Sequence, residues 1–166
     1  LGDGAVEQHV FLHPVAARAH GIGNALHGGA DAVEGVRVSL YDLEGGEVEP
    51  FVDLIEEADA LLFGSPTING DAVEPVWDLL SSLAVVNLKG KVGAAFGSFG
   101  WSGEAVRMIE DRMRGLKMRV PREGLRVKLI PTQEELDECT GFGREIANIL
   151  IGKEQSGGVI EFASLG

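Results

Sequence analysis

A single cysteine in 166 residues leaves no internal disulfide framework to staple this chain, which fits a reducing compartment. Basic residues are scarce as well: Lys+Arg is 14 against Asp+Glu 26, a formal net charge of −12. A field of that sign repels phosphate backbones and anionic lipid, so nucleic-acid and membrane-surface partners are disfavoured and a basic partner is not. No apolar run approaches the ~20 residues that a membrane span needs. The opening residues Leu1-Gly2-Asp3-Gly4 are acidic and lack the basic start of a signal peptide. The chain begins on Leu1 rather than methionine, so it is expected to be part of something longer. Internal repeats and Pro- or Ser-rich linkers are also missing. What is present is an apolar fraction of 45% and 24 glycines, in a length that suits one domain. The expectation is a single acidic, glycine-rich, cytoplasmic domain.

Short apolar runs alternate with longer segments of helical period, the pattern of an α/β fold. Strands are expected at residues 9–13, 36–41, 60–64 and 91–97, with a fifth split between 117–120 and 125–129. The third and fourth are nearly continuous apolar runs, as in strands covered on both faces of a parallel sheet. Val73, Val76, Trp77, Leu80 and Leu83 share one helical face, with Pro75 in the first turn, where its missing N–H costs least. Val106, Ile109, Met113 and Leu116 form a second stripe, for which Ser102 is the expected N-cap. Leu136, Cys139, Phe142, Ile146 and Ile149 form a third, opened by the capping box Thr132-Gln133-Glu134-Glu135. Weaker helices are expected near 48–57 and between 21 and 33. The charged run 107–114 reads as the solvated side of its helix, and Cys139 and Trp77 read as packing residues.

Ligands of such sheets bind at the carboxyl ends of the strands, near the topological switch point. Two loops there combine glycine with hydroxyl and amide side chains. After the third strand comes Gly64-Ser65-Pro66-Thr67-Ile68-Asn69-Gly70-Asp71; after the fourth comes Gly97-Ser98-Phe99-Gly100-Trp101-Ser102-Gly103-Glu104. Each could be ordinary strand-to-helix punctuation. Together they place a large aromatic, Trp101, where little core remains to cover it, and that favours a planar aromatic ligand.

The run Gly64-Ser65-Pro66-Thr67-Ile68-Asn69 through Val76-Trp77-Asp78-Leu79-Leu80 resembles the flavodoxin-like domain of the flavodiiron proteins, or A-type flavoproteins. So do Ala94-Ala95-Phe96-Gly97-Ser98-Phe99-Gly100-Trp101-Ser102-Gly103-Glu104-Ala105 and residues 121–127. The resemblance spans roughly 36–150. It implies a flavodoxin-like three-layer sandwich: a five-stranded parallel sheet in the order 2-1-3-4-5 with helices on both faces. It also implies FMN as cofactor, held by Ser65, Pro66, Thr67, Ile68, Asn69, Gly70, Ser98, Phe99, Gly100, Trp101, Ser102 and Gly103. In the family this domain follows a β-lactamase-like domain with a diiron centre, and the whole protein reduces O2 or nitric oxide. Electrons arrive there from rubredoxin or a similar donor, such as a flavin reductase, and head-to-tail dimers bring the flavin of one subunit near the iron of the other. The diiron ligands are not in these residues, so this chain is expected to be the electron-transfer part of an oxidoreductase rather than a complete enzyme.

The first 35 residues diverge. Related domains cradle the FMN phosphate on a Ser/Thr-rich turn after the first strand. Here that stretch reads Pro14-Val15-Ala16-Ala17-Arg18-Ala19-His20-Gly21, without the hydroxyls. Losing about three hydrogen bonds to a charged group, at ~1.5–3 kcal/mol each, would cost ~5–9 kcal/mol unless Arg18, His20 and backbone amides compensate. All four histidines (His9, His13, His20 and His27) fall in this segment, and a solvated or divergent stretch is favoured over a metal face. The alternative reading is a flavodoxin-like module that has lost its cofactor and serves as a structural or docking domain. A free-standing reductase acting on a quinone is a weaker third. Residues 1–166 are taken as one domain, with 36–150 well matched and 151–166 a C-terminal tail.

Overall fold

The run Ala60-Leu61-Leu62-Phe63-Gly64 offers no side chain that gains by facing water, and in the computed structural model all five residues are buried in the middle of a parallel sheet. The structure describes residues 8–13, 20–43 and 49–152, with the side chains of 8–13, 20, 49 and 50 left aside. Five strands, β1 (Gln8–His13), β2 (Val36–Leu40), β3 (Ala60–Gly64), β4 (Val92–Phe99) and β5 (Leu125–Lys128), lie in the order β2-β1-β3-β4-β5. All pairings are parallel; Leu61 faces Phe11 on one side and Gly93 on the other. Helices α1 (His20–Asp31), α2 (Glu49–Glu57), α3 (Glu74–Ser82), α4 (Glu104–Gly115) and α5 (Gln133–Leu150) alternate with the strands. Among the described residues, no helix is long and apolar enough to cross a membrane.

The two-residue period of β3 sorts the core into two layers. Leu61 and Phe63 pack with Ile55 of α2, Val76, Leu79 and Leu80 of α3 and Val106, Ile109 and Met113 of α4. Ala60 and Leu62 turn the other way, onto Ile22 and Leu26 of α1 and Cys139, Phe142 and Ile146 of α5. On that second face α1 and α5 touch backbone to backbone. A Cβ on Gly29 would lie 1.8 Å from the Thr140 carbonyl oxygen, and one on Gly143 would lie 2.0 Å from that of Leu26.

The expected elements are present, with three corrections. β4 runs two residues further than 91–97, because Ser98 and Phe99 pair with Val127 and Lys128. The 117–120 half of the expected fifth strand makes only an isolated bridge, Arg119 to Val92. Its neighbour Lys117 has a positive φ of 68°, which turns the chain just before the bridge, and Pro121 has no N–H with which to extend it. The charged run 107–114 is not wholly solvated either. Helical period carries Glu110 inward beside Val106, Ile109 and Met113, leaving it 4% exposed. Its carboxylate accepts the Gly124 N–H at 2.6 Å and pairs with Arg114 at 3.4 Å. At α5 the capping box closes as expected: Thr132 Oγ1 accepts from Glu135 N–H at 3.2 Å, and Glu135 Oε2 accepts from Thr132 N–H at 2.8 Å.

Candidate functional site

Past the end of β3 the chain stays attached to β4. Ser65 N–H donates to the Phe96 carbonyl at 3.1 Å, and Thr67 N–H donates to that of Ser98 at 2.9 Å. The two loops singled out in the sequence are thereby held side by side at the carboxyl end of the sheet. Ser65 is fully buried, and its hydroxyl is committed within the loop. It donates to the Pro66 carbonyl at 2.8 Å and accepts the Val73 N–H at 3.0 Å, at the start of α3. What Ser65 offers a ligand is therefore the shape of the loop, not its hydroxyl.

Ile68-Asn69-Gly70-Asp71 closes on itself: Ile68 N–H donates to Asp71 O at 2.9 Å, and Asp71 N–H to Ile68 O at 3.1 Å. Both central residues have positive φ, 52° at Asn69 and 73° at Gly70. That is the requirement of a type I′ turn, for which Asn-Gly is the preferred dipeptide. Asp71 Oδ1 accepts the Ala72 N–H at 2.7 Å and the Trp77 indole N–H at 2.8 Å. Asn69 and Gly70 project outward between these fixed points and are exposed.

The expected N-cap of α4 is corrected by the structure. The capping position belongs to Gly103, and Ser102 makes no cap bond. Thr67 Oγ1, from the other loop, accepts the Ala105 N–H at 3.2 Å and so meets one of the unpaired donors of the first turn. A residue 38 positions away does the work of the local cap. Gly100 and Gly103 lie close over β5; a Cβ on Gly103 would meet Arg126 Cδ at 2.9 Å.

This arrangement leaves several groups available to a ligand. Trp101 is 96% exposed, held on the loop with no core to cover it. Ser98 Oγ is buried and, among the described residues, has no hydrogen-bond partner. An unmet buried hydroxyl costs ~1–3 kcal/mol, so a group reaching it gains that much. Among the described residues, no backbone bond is made by the N–H groups of Asn69, Gly70, Gly100, Trp101 or Ser102. An open groove of about 490 Å³ is bordered by Ile68, Asn69, Asp71, Glu74 and Trp77. Another of about 620 Å³ lies between Gly70, Ser102, Gly103 and the α4 residues Glu104, Arg107 and Met108. A smaller one of about 270 Å³ continues along α4 to Glu110. A flat aromatic ring with polar edges fits these groups: an indole face to stack on and backbone donors at its rim.

Of the stretch 14–21 expected to meet the phosphate, residues 14–19 lie outside the described residues. Of the four histidines only His27 has a described side chain, and among the described residues no cluster of His, Cys, Asp or Glu could hold a metal ion. Two residues were missed by sequence reasoning, Asp71 and the polar end of Trp77. The Asn69-Gly70 dipeptide was the available signal, since it fixes a turn whose flank must be Asp71.

The flavodoxin family profile matches residues 18–143. A type A flavoprotein, fprA, from Rhodobacter capsulatus is 58% identical over 132 residues, covering 80% of this chain and 30% of its own length. The chain thus spans under a third of that curated relative. The flavodiiron core of Flv1 from Synechocystis superposes with a TM-score of 0.81 at 30% identity, over 91% of this chain and 38% of that one. Rubredoxin oxygen:oxidoreductase from Desulfovibrio gigas gives 0.80 at 26% identity, over 89% and 37%.

Proposed function

The chain belongs to the flavodoxin family, in the type A or flavodiiron branch, and we propose that it is the FMN-binding electron-transfer domain of a flavodiiron-type oxidoreductase. It would take electrons from a small redox protein, rubredoxin-like or a flavin reductase, and deliver them to a diiron site on a β-lactamase-like domain or subunit. One domain over 1–166, a cytoplasmic setting and a homo-oligomer complete the reading. O2 or nitric oxide reduction belongs to the whole assembly. The observation that carries the proposal is Trp101, 96% exposed on the loop that also carries, among the described residues, the unpartnered Ser98 hydroxyl and backbone N–H groups without a backbone bond.

FMN, when bound, supplies reversible electron acceptance at its ring. The chain's own residues do the rest. Trp101 stacks on the ring and limits water at that face. The backbone N–H groups of Asn69-Gly70 and of Gly100, Trp101 and Ser102 meet its polar edge, and Ser98 Oγ is a further donor. The acidic field around the domain opposes build-up of negative charge on the ring. Offset stacking is worth ~0.5–1.5 kcal/mol beyond area burial.

The test is a titration of the purified chain with FMN, read by quenching of tryptophan fluorescence and by the visible flavin band. Wild type is expected to bind, and Trp101→Ala to bind at least ~2–12-fold more weakly with an unchanged fold. A wild-type chain that stays colourless and takes up no FMN at micromolar concentration overturns the proposal. That outcome is the signature of the second reading, a cofactor-less docking module. Its support is the loop at 14–21, which lacks hydroxyls and whose first four residues precede the family match at 18–143.

A further inference from the structure

We propose that Asp71 and Trp77 are positioning residues, a side-chain clamp that fixes where the Asn69-Gly70 turn presents its backbone to the flavin edge. The inference rests on the FMN reading above and adds to it how the turn is held.

The turn is anchored at two ends by different means. At its start, Thr67 is tied through its N–H to Ser98 O at 2.9 Å and through Oγ1 to the Ala105 N–H at 3.2 Å. At its end, one oxygen of Asp71 takes two donors, the Ala72 N–H at 2.7 Å and the Trp77 indole N–H at 2.8 Å. Asp71 also closes the turn, through paired backbone bonds to Ile68. Displacement of Asp71 therefore carries Gly70 with it. The turn borders an open surface groove of about 490 Å³ lined by Ile68, Asn69, Asp71 and Trp77, and Ile68, Asn69 and Gly70 are exposed, so little packing holds the turn once the clamp is released. Trp77 itself stands on α3, whose Val76, Leu79 and Leu80 are buried, so its indole is a rigid point of attachment. A tryptophan that only filled space at this half-buried position would need no partner for its N–H. Here the N–H is used on the one residue that ends the turn.

A clamp and a mere charge make different demands on Asp71. Trp77→Phe keeps an aromatic ring and removes the donor. Asp71→Ala removes the acceptor. Asp71→Asn keeps an oxygen acceptor and removes only the charge. If the clamp positions the turn, Trp77→Phe, which removes one hydrogen bond, weakens FMN binding by about five- to tenfold, Asp71→Ala, which removes two, weakens it by at least as much, and Asp71→Asn stays close to wild type. The visible flavin band should shift in the first two variants and not in the third. If Asp71 acted only through its charge, Asp71→Asn would match Asp71→Ala and Trp77→Phe would behave as wild type, and the proposal is overturned.

A second measurement separates this inference from the FMN reading. In the flavin-free 166-residue chain, amide hydrogen exchange at Ile68 and Asp71, whose N–H groups close the turn, is expected to quicken in Trp77→Phe and Asp71→Ala and to hold in Asp71→Asn. Unchanged exchange in both disruptive variants overturns the clamp even where wild type binds FMN. A wild type that takes up no FMN overturns the proposed function and, with it, any role of the clamp toward flavin. Circular dichroism of each variant, with Asp71→Ala as the second route should Trp77→Phe lose its fold, keeps every arm decisive.

Discussion

Gly97 sits where the two site loops press together, and adding one methyl group there tests the whole construction. A Cβ at this position would lie 2.0 Å from the Ser65 carbonyl oxygen. A tolerable carbon–oxygen contact is roughly 3.3 Å, so Ser65 would have to retreat by about 1.3 Å. The retreat strains the two bonds on either side of Gly97, Ser65 N–H to Phe96 O at 3.1 Å and Thr67 N–H to Ser98 O at 2.9 Å. Each such bond is worth ~0.5–1.5 kcal/mol net, and overpacking a tight contact adds ~1–3 kcal/mol. Against this, alanine restricts the unfolded chain and returns ~0.4–1 kcal/mol. Gly97→Ala is therefore expected to destabilise by about 1–5 kcal/mol, seen as a lower urea midpoint at unchanged slope. Because Ser65 and Thr67 carry the turn, FMN affinity should fall with it. Gly28→Ala is the control, since nothing lies within 4 Å of its Cβ position. There the sign reverses, to a gain of ~0.5–1 kcal/mol. A Gly97→Ala chain as stable as wild type would refute the packing argument, and one that loses stability but binds FMN unchanged would refute the link to the site.

The remaining predictions use the same logic on other contacts. On α5, Gly143→Ala meets the Leu26 carbonyl at 2.0 Å whereas Gly141→Ala meets nothing within 4 Å, so thermal melting should fall in the first and rise slightly in the second. Equal shifts would deny the close approach of α1 and α5. Burial, and then the charges of Glu138 and Glu135, push the Cys139 thiol up from 9.0 to about 11. The folded state then holds a proton that the unfolded state has released. Stability from this group is complete below about pH 9, falls between pH 9 and about 11, and is flat above, with a total of about 2–3 kcal/mol. The check is the difference between the wild-type and Cys139→Ala stability curves over that window; parallel curves would refute it.

What the sequence could disclose followed from local rules. Ala60–Gly64 had to be covered on both faces, and it is. Thr132 and Glu135 can satisfy one another without help from anywhere else, and they do. The misses share one physical cause, a partner far away in the chain. Ser102 was the expected cap, but the Ala105 N–H is met by Thr67, from a loop that only the fold brings near. Glu110 looked solvated by its charged neighbours, yet the Gly124 N–H gives its carboxylate a buried partner. The second half of the split fifth strand pairs with Phe96 through Phe99, and the first half is reduced to a bridge by a backbone turn at Lys117 that composition does not reveal. For the candidate site, loop composition pointed to the right end of the sheet. The clamp on Asp71 escaped notice because Trp77 also fits an apolar stripe, and a stripe says nothing about an indole N–H.

The distribution of charge decides which of these features can tune a bound flavin. A net charge of −12 suggests a strong opposing field, and at the two loops acids and arginines stand together. Of the acids there, Asp71 is engaged by two donors, Glu74 borders the groove beside it, and Glu104 and Asp111 share the larger cavity with Arg107 and Arg126. One uncompensated charge at ~10 Å in a medium of ε ~40–80 contributes roughly 0.4–0.8 kcal/mol, and salt reduces that further. A single hydrogen bond to a developing charge is worth ~1.5–3 kcal/mol. On the proposed binding, each backbone donor of the Asn69-Gly70 turn or of the Trp101 loop that meets the flavin would therefore outweigh any single one of these charges in setting how readily it accepts electrons. That ordering is why the devices that hold those donors in place, Thr67 on one side and the Asp71–Trp77 pair on the other, matter more to function than the acidic composition that first draws the eye.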